Sequence, residues 1–142
     1  MMKHTKAIFL ISKIREQANK FILADLVQHG ITNLAPSHGD ILACLYQKER
    51  LTMKEIADAI HRTKPTVTVL VNKLVELGLV KKLQAPEDCR VVYVELTAQG
   101  KELQQLFEKI SADLVSRVFQ NMEQEEIKKL ESSLQKILDN LE

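Results

Sequence analysis

The stretch that decides the fold is "LTMKEIADAIHRTKPTVTVLVNKLVELGLV", residues 51–80. It reads as two helices with almost nothing between them. Thr52 and Glu55 have the spacing of a capping box, ahead of Ile56, Ala57 and Ile60 on one face. "HR" follows, and Thr63 stands where a second helix needs a cap, with Pro65 tolerated in its first turn. Val67, Leu70, Val71, Leu74 and Leu77 recur at three- and four-residue steps, the mark of a buried stripe. Gly78 then supplies the left-handed stop.

Past Gly78 the period changes. "LVKKLQ" reads as a strand, "APEDC" as a turn, and "RVVYVEL" as a strand with Val92, Val94 and Leu96 on one face. Upstream, residues 5–28 form one long helix, with Ile8, Ile11, Ile14, Ala18, Phe21, Ile22 and Leu26 in register. Ser37 is the expected cap of a second helix, with Asp40 in its first turn. Downstream, Thr97 opens a single helix running to Gln120. A last helix follows Asn121, striped by Ile127, Leu130, Leu134, Ile137, Leu138 and Leu141.

Composition narrows the class. The chain has 142 residues, 45% hydrophobic and 27% charged, enough for a real core. A net charge of +1 excludes a uniformly basic nucleic-acid coat. The charge is unevenly placed, however. Residues 61–90 hold six bases against three acids, and residues 101–142 hold six against nine, so only the middle suits an anionic partner. Two cysteines, Cys44 and Cys89, build no disulfide framework. Lys3 and Lys6 precede "AIFLI", but polar "SKIREQ" follows at once, too short an apolar run for a signal peptide. A cytoplasmic location and no membrane partner are therefore expected.

A short helix tied closely to a second is the helix-turn-helix unit, and its second helix fits the DNA major groove. A hairpin placed just after it reaches sideways to the neighbouring minor groove, whose negative potential attracts arginine. On this reading the turn carries Arg90 at its tip, Asp88 steadies it by a short-range ion pair, and Pro86 limits the turn's freedom.

These pieces resemble the MarR family of winged helix-turn-helix regulators. The resemblance runs from about Ser37 to Gly100 and is densest in "LTMKEIADAI", "TKPTVTVLVNKLVELGLV" and "DCRVVYVELTAQG". It implies a homodimer on a pseudo-palindromic operator in double-stranded DNA, usually a repressor relieved by a small-molecule effector or an oxidant. It also implies an effector crevice between the dimer helices and the winged part. The expected fold is mainly α with a small β-hairpin: a winged helix-turn-helix domain flanked by long N- and C-terminal dimerisation helices. Residues 1–36 supply the N-terminal dimerisation helix, 37–97 the DNA-binding region and 98–142 the C-terminal dimerisation helices, in one compact domain.

The residues expected on DNA follow from a helical wheel. Opposite the core stripe lie Pro65, Thr68, Val69, Asn72 and Glu76, flanked by Thr66 and Lys73. Val69 stands where the family often has arginine, so it would meet a thymine methyl rather than guanine, and Asn72 would read adenine. Thr63, Lys64 and Thr66 sit at the helix start, where free N–H groups favour phosphate. Lys73, Lys81 and Lys82 are further phosphate candidates, and Glu76, repelled by phosphate, is expected beyond the groove or paired with Lys73 or another base. With Asp88 and Arg90 in the hairpin, these complete the candidate site.

Other chemistries find little support. His29, His38 and Asp40 lie close in sequence, with His4 and His61 elsewhere, but the helix after residue 97 has no histidine to complete a metal site. The contiguous "SHGD" cannot form a triad whose side chains must meet. With no phosphate loop or dinucleotide motif, neither an enzyme nor a cofactor is expected. Cys89 is read as a bystander thiol and Cys44 as core. The competing reading is a winged-helix protein-interaction module without DNA readout, marked by an apolar patch around Val69.

Overall fold

The computed structural model describes residues 5–142, so the readings on Lys3 and His4 lie outside it. In chain order the elements are α1 (Ala7–Gln28), α2 (Pro36–Gln47), β1 (Arg50–Thr52), α3 (Met53–Ile60), α4 (Lys64–Glu76), β2 (Val80–Ala85), β3 (Asp88–Leu96), α5 (Ala98–Glu102), α6 (Gln104–Val118) and α7 (Gln124–Leu141).

The capping box forms as the spacing predicts. Glu55 N–H donates to the Thr52 hydroxyl at 3.0 Å, and the Glu55 carboxylate accepts from Thr52 N–H at 2.9 Å. That second bond, with Lys48 behind it, holds the Glu55 carboxyl below its ordinary range. Helix α3 ends on His61, which adopts the left-handed conformation at φ 55°. One residue bent this way turns the chain sharply enough for α4 to begin at Lys64. Gly78 ends α4 at φ +77°, where a side chain would be strained.

The core lies where α2, α3 and α4 meet the sheet. Ile41, Leu42, Ile56, Val67, Val71, Leu74 and Val94 are fully buried there. The α4 stripe is as expected, with Leu70 and Leu77 only partly buried at its edge. Tyr46 seals the side toward α6. Its ring lies 6.1 Å from that of Phe107, its hydroxyl donates to Gly100 O at 3.2 Å, and burial, then Glu108, pushes its pKa up to about 12.

Three local expectations give way. First, the hairpin is two strands of a three-stranded antiparallel sheet, in the order β1-β3-β2. Strand β1 pairs Arg50–Thr52 with Tyr93–Glu95. Three residues show no period, and only their partner makes them a strand. Arg50 anchors this edge, bonding Glu95 at 2.7 Å with its guanidinium 5.0 Å above the Tyr93 ring. Second, α2 starts two residues earlier, on Pro36, so the cap is Ala35 rather than Ser37. Ala35 has no side-chain acceptor to offer. Instead the His38 ring reaches back, Nδ1 accepting from Ala35 N–H at 2.9 Å, while Ser37 accepts from Arg62 at 3.3 Å. Third, the helix from Thr97 is broken at Leu103 into α5 and α6. The break falls where Leu103 turns in to pack on the core.

The outer helices are left uncovered. Leu26 is the one buried residue of α1 and Ile110 that of α6, and α7 has none. Among the described residues, no helix is long and apolar enough to cross a membrane.

Candidate nucleic-acid interface

Helix α4 turns a polar face to solvent because its buried stripe takes Val67, Val71 and Leu74 inward. Thr63, Lys64, Pro65, Thr66, Val69, Asn72 and Lys73 are all exposed, and Thr68 is half-buried. Val69 is 69% exposed, so it has no packing duty here. Lys73 reaches Glu76 at 3.6 Å, the neutralising pair anticipated for Glu76. Both are well exposed, so the pair adds little stability.

At the start of α4 the cap position is Thr63, but its side chain makes no cap bond. Its hydroxyl donates instead to the Thr66 hydroxyl at 2.9 Å. The first-turn N–H groups therefore keep their capacity to bind an anion. Thr68 donates to its own helix at Lys64 O, 3.0 Å away, leaving its oxygen an acceptor.

The wing differs from the simple turn read from sequence. Its tip is Pro86–Glu87, because Asp88 already pairs with Ala85. The next pair is Gln84 with Val92, so residues 89–91 bulge out of β3. A bulge of this kind bends the strand and re-aims its side chains. Gln84 braces it, its amide donating to Cys89 O at 2.7 Å. Arg90 therefore stands on the bulge, not at the tip. Asp88 accepts from Arg90 N–H at 2.9 Å and from its Nε at 3.1 Å. These two bonds, the guanidinium's first, hold the Asp88 carboxyl below its ordinary range.

Two lysines of β2 part company because a strand alternates its faces. Lys81 lies 3.8 Å from Glu95, on the side of Arg50. Lys82 takes the other side and donates to the Asn72 side-chain oxygen at 2.7 Å. This link between wing and α4 was missed in the sequence. Ten residues separate the two, and nothing local relates them.

A cleft of about 380 Å³ opens between α1, α2 and α6. Arg15, Asn19, Asp40, Tyr46, Phe107 and Ser111 are among its lining, and Arg15 approaches Asp40 at 3.7 Å. Cys44 lies half-buried nearby in sequence, where burial, then Asp40, pushes its thiol pKa up. Cys89 is exposed on the bulge. His29 donates from Nδ1 to Asp25 O at 2.9 Å, and His38 serves the start of α2. No group of three metal-ligating side chains gathers among the described residues.

Comparison with known proteins places this arrangement. Residues 34–92 match the MarR family profile. The S. aureus MepR–DNA complex is 28% identical and superposes with a TM-score of 0.86, covering 97% of this chain and 99% of that one. Over residues 34–92 the chain is similar to the MarR family. Members of the MarR family are transcriptional regulators, not enzymes. A mutant E. coli MarR complexed with operator DNA, 22% identical, shares the fold, with a TM-score of 0.81 over 91% of each chain. A curated relative, the uncharacterised HTH-type transcriptional regulator YhjH of Bacillus subtilis, is 31% identical over 81 residues. That match takes in 56% of this chain, which spans about half the relative's length, 46%.

Proposed function

We propose that the protein is a sequence-specific, DNA-binding transcriptional regulator that works as a homodimer. One observation carries the reading. The face of α4 turned from the core bears Thr66, Val69, Asn72 and Lys73, and the adjoining wing raises Arg90 with its side chain 88% exposed. A helix with that face enters a major groove, and an arginine beside it enters the next minor groove. Thr63, Lys64 and Pro65 sit against phosphate at the helix start, Thr68 and Val69 meet base edges, and Asp88 aims Arg90.

The dimer rests on the apolar side chains that α1, α6 and α7 leave uncovered. Ile8, Phe9, Ile14, Val115 and Leu138 are all exposed in one copy. A two-fold partner buries them and sets two α4 helices about 34 Å apart, one turn of DNA. Such a dimer occupies a pseudo-palindromic operator and represses by excluding other proteins. The cleft joins α1 to α2 through Arg15 and Asp40, so a small ligand seated there spreads the dimer helices from the DNA-binding part and relieves repression.

Selection of bound fragments from random duplex DNA, followed by salt titration, tests the reading. Enrichment of an inverted repeat, with affinity falling steeply as salt rises, is expected. The exposed Val69 also suits a protein partner. Failure to enrich any duplex sequence would favour that second reading.

A further inference from the structure

Asn72 is held before any DNA arrives. The Lys82 ammonium has only hydrogens to give, so the atom facing it at 2.7 Å must be the amide oxygen. The amide is planar, and its nitrogen lies on the other side. Asn72 therefore turns its two N–H hydrogens away from the wing, while its oxygen is drawn toward the wing with one of its two lone pairs taken. The adjacent positive charge also polarises the amide and strengthens those donors.

This bears on which base the side chain reads. A free asparagine pairs with adenine by using both ends, accepting from N6 and donating to N7. Guanine presents two acceptors, N7 and O6, and no donor on that edge. An amide held with its donor end leading matches guanine. Toward adenine its oxygen, turned to Lys82, is poorly placed to receive the N6 hydrogens. We propose that Lys82 is a specificity-determining positioning residue, which fixes the Asn72 amide so that it reads a G·C pair in preference to A·T. The proposal rests on the DNA-binding reading above and adds to it the identity of one base pair. Lys82 contributes charge as well, but charge alone attracts every sequence equally.

The test is selection from random duplex DNA with the full-length protein and three variants. Asn72→Ala identifies the position, as the base pair whose discrimination is lost. In the wild type that pair is G·C. Lys82→Met frees the amide to turn over and swings the preference there toward A·T by about tenfold, the scale of one base contact. Lys82→Arg, which keeps a cationic donor, retains G·C. A·T in the wild type, an unaltered G·C preference in Lys82→Met, or no position altered by Asn72→Ala would each overturn the proposal. If the wild type enriches sequences and one of these results appears, this inference alone fails. If the wild type enriches none, DNA reading itself fails.

Discussion

Arg90 is gripped by Asp88 through its main-chain N–H at 2.9 Å and through its guanidinium at 3.1 and 3.4 Å. The carboxylate thus shapes the bulge and aims the charge that stands on it. Both side chains meet water, so the pair contributes little to folding. Its effect belongs to binding. Arg90→Ala is expected to weaken operator binding by roughly 1–3 kcal/mol and to lower the salt slope by about one unit. Asp88→Ala keeps the charge and is expected to weaken binding less, with the slope preserved. Fluorescence anisotropy across a salt series measures both, and an unchanged affinity for Arg90→Ala would remove the wing from the interface.

Leu134 and Leu138 are one helical turn apart on α7, and both are partly exposed in the single chain. If a second copy covers them, a charge there costs the dimer and leaves the winged core intact. Leu134→Glu is expected to yield monomers with unchanged far-UV circular dichroism and much weaker operator binding. Light scattering decides. A variant that remains dimeric counts against this helix as part of the interface.

Gly100 lies against the main chain of Leu79. A Cβ there would overlap the Leu79 carbonyl oxygen, which backbone cannot readily vacate. That oxygen also accepts from Thr97 N–H at 3.0 Å, so a shift would loosen the start of α5. Gly100→Ala is expected to destabilise the fold by about 1–3 kcal/mol, the usual cost of overpacking. The neighbouring Thr97 donates to Gly78 O at 2.6 Å and accepts from Gly100 N–H at 3.1 Å. Denaturant unfolding of Gly100→Ala beside the wild type gives the difference, and equal midpoints would contradict the packing described.

His38 is buried, and burial, then Lys73, lowers its pKa from 6.5. The unfolded chain therefore takes up a proton that the folded one resists. This stability is complete above 6.5 and is lost as pH falls toward the lowered folded value. Protonation would also remove the acceptor that holds Ala35 N–H. Melting midpoints are expected to fall between about pH 7 and about pH 5, less so in His38→Gln, which keeps an acceptor and does not titrate there. Equal pH dependence in both proteins would mean that His38 is not the group responsible.

Much of the fold was legible because its causes are local. Thr52 and Glu55 are three residues apart, and Gly78 follows the last turn of α4. The stripe of Val67, Val71 and Leu74 follows from the helix period alone. The cap of α2 was misplaced because a histidine, not the serine beside it, satisfies the free N–H. The break at Leu103 left no sign, since its neighbours are ordinary helix formers and packing on the core decides it.

The candidate site divides in the same way. Spacing alone put Thr66, Val69, Asn72 and Lys73 on one face of α4 and Asp88 two residues before Arg90, because helix period and chain connectivity act over a few residues. Tertiary structure decided that β1 is a strand, that Arg90 rides a bulge, that Lys81 turns to Glu95 and that Lys82 holds Asn72. Each of these depends on segments brought together by burial of the shared core. Pairing across such distances follows from which surfaces meet, and local preference carries no record of that.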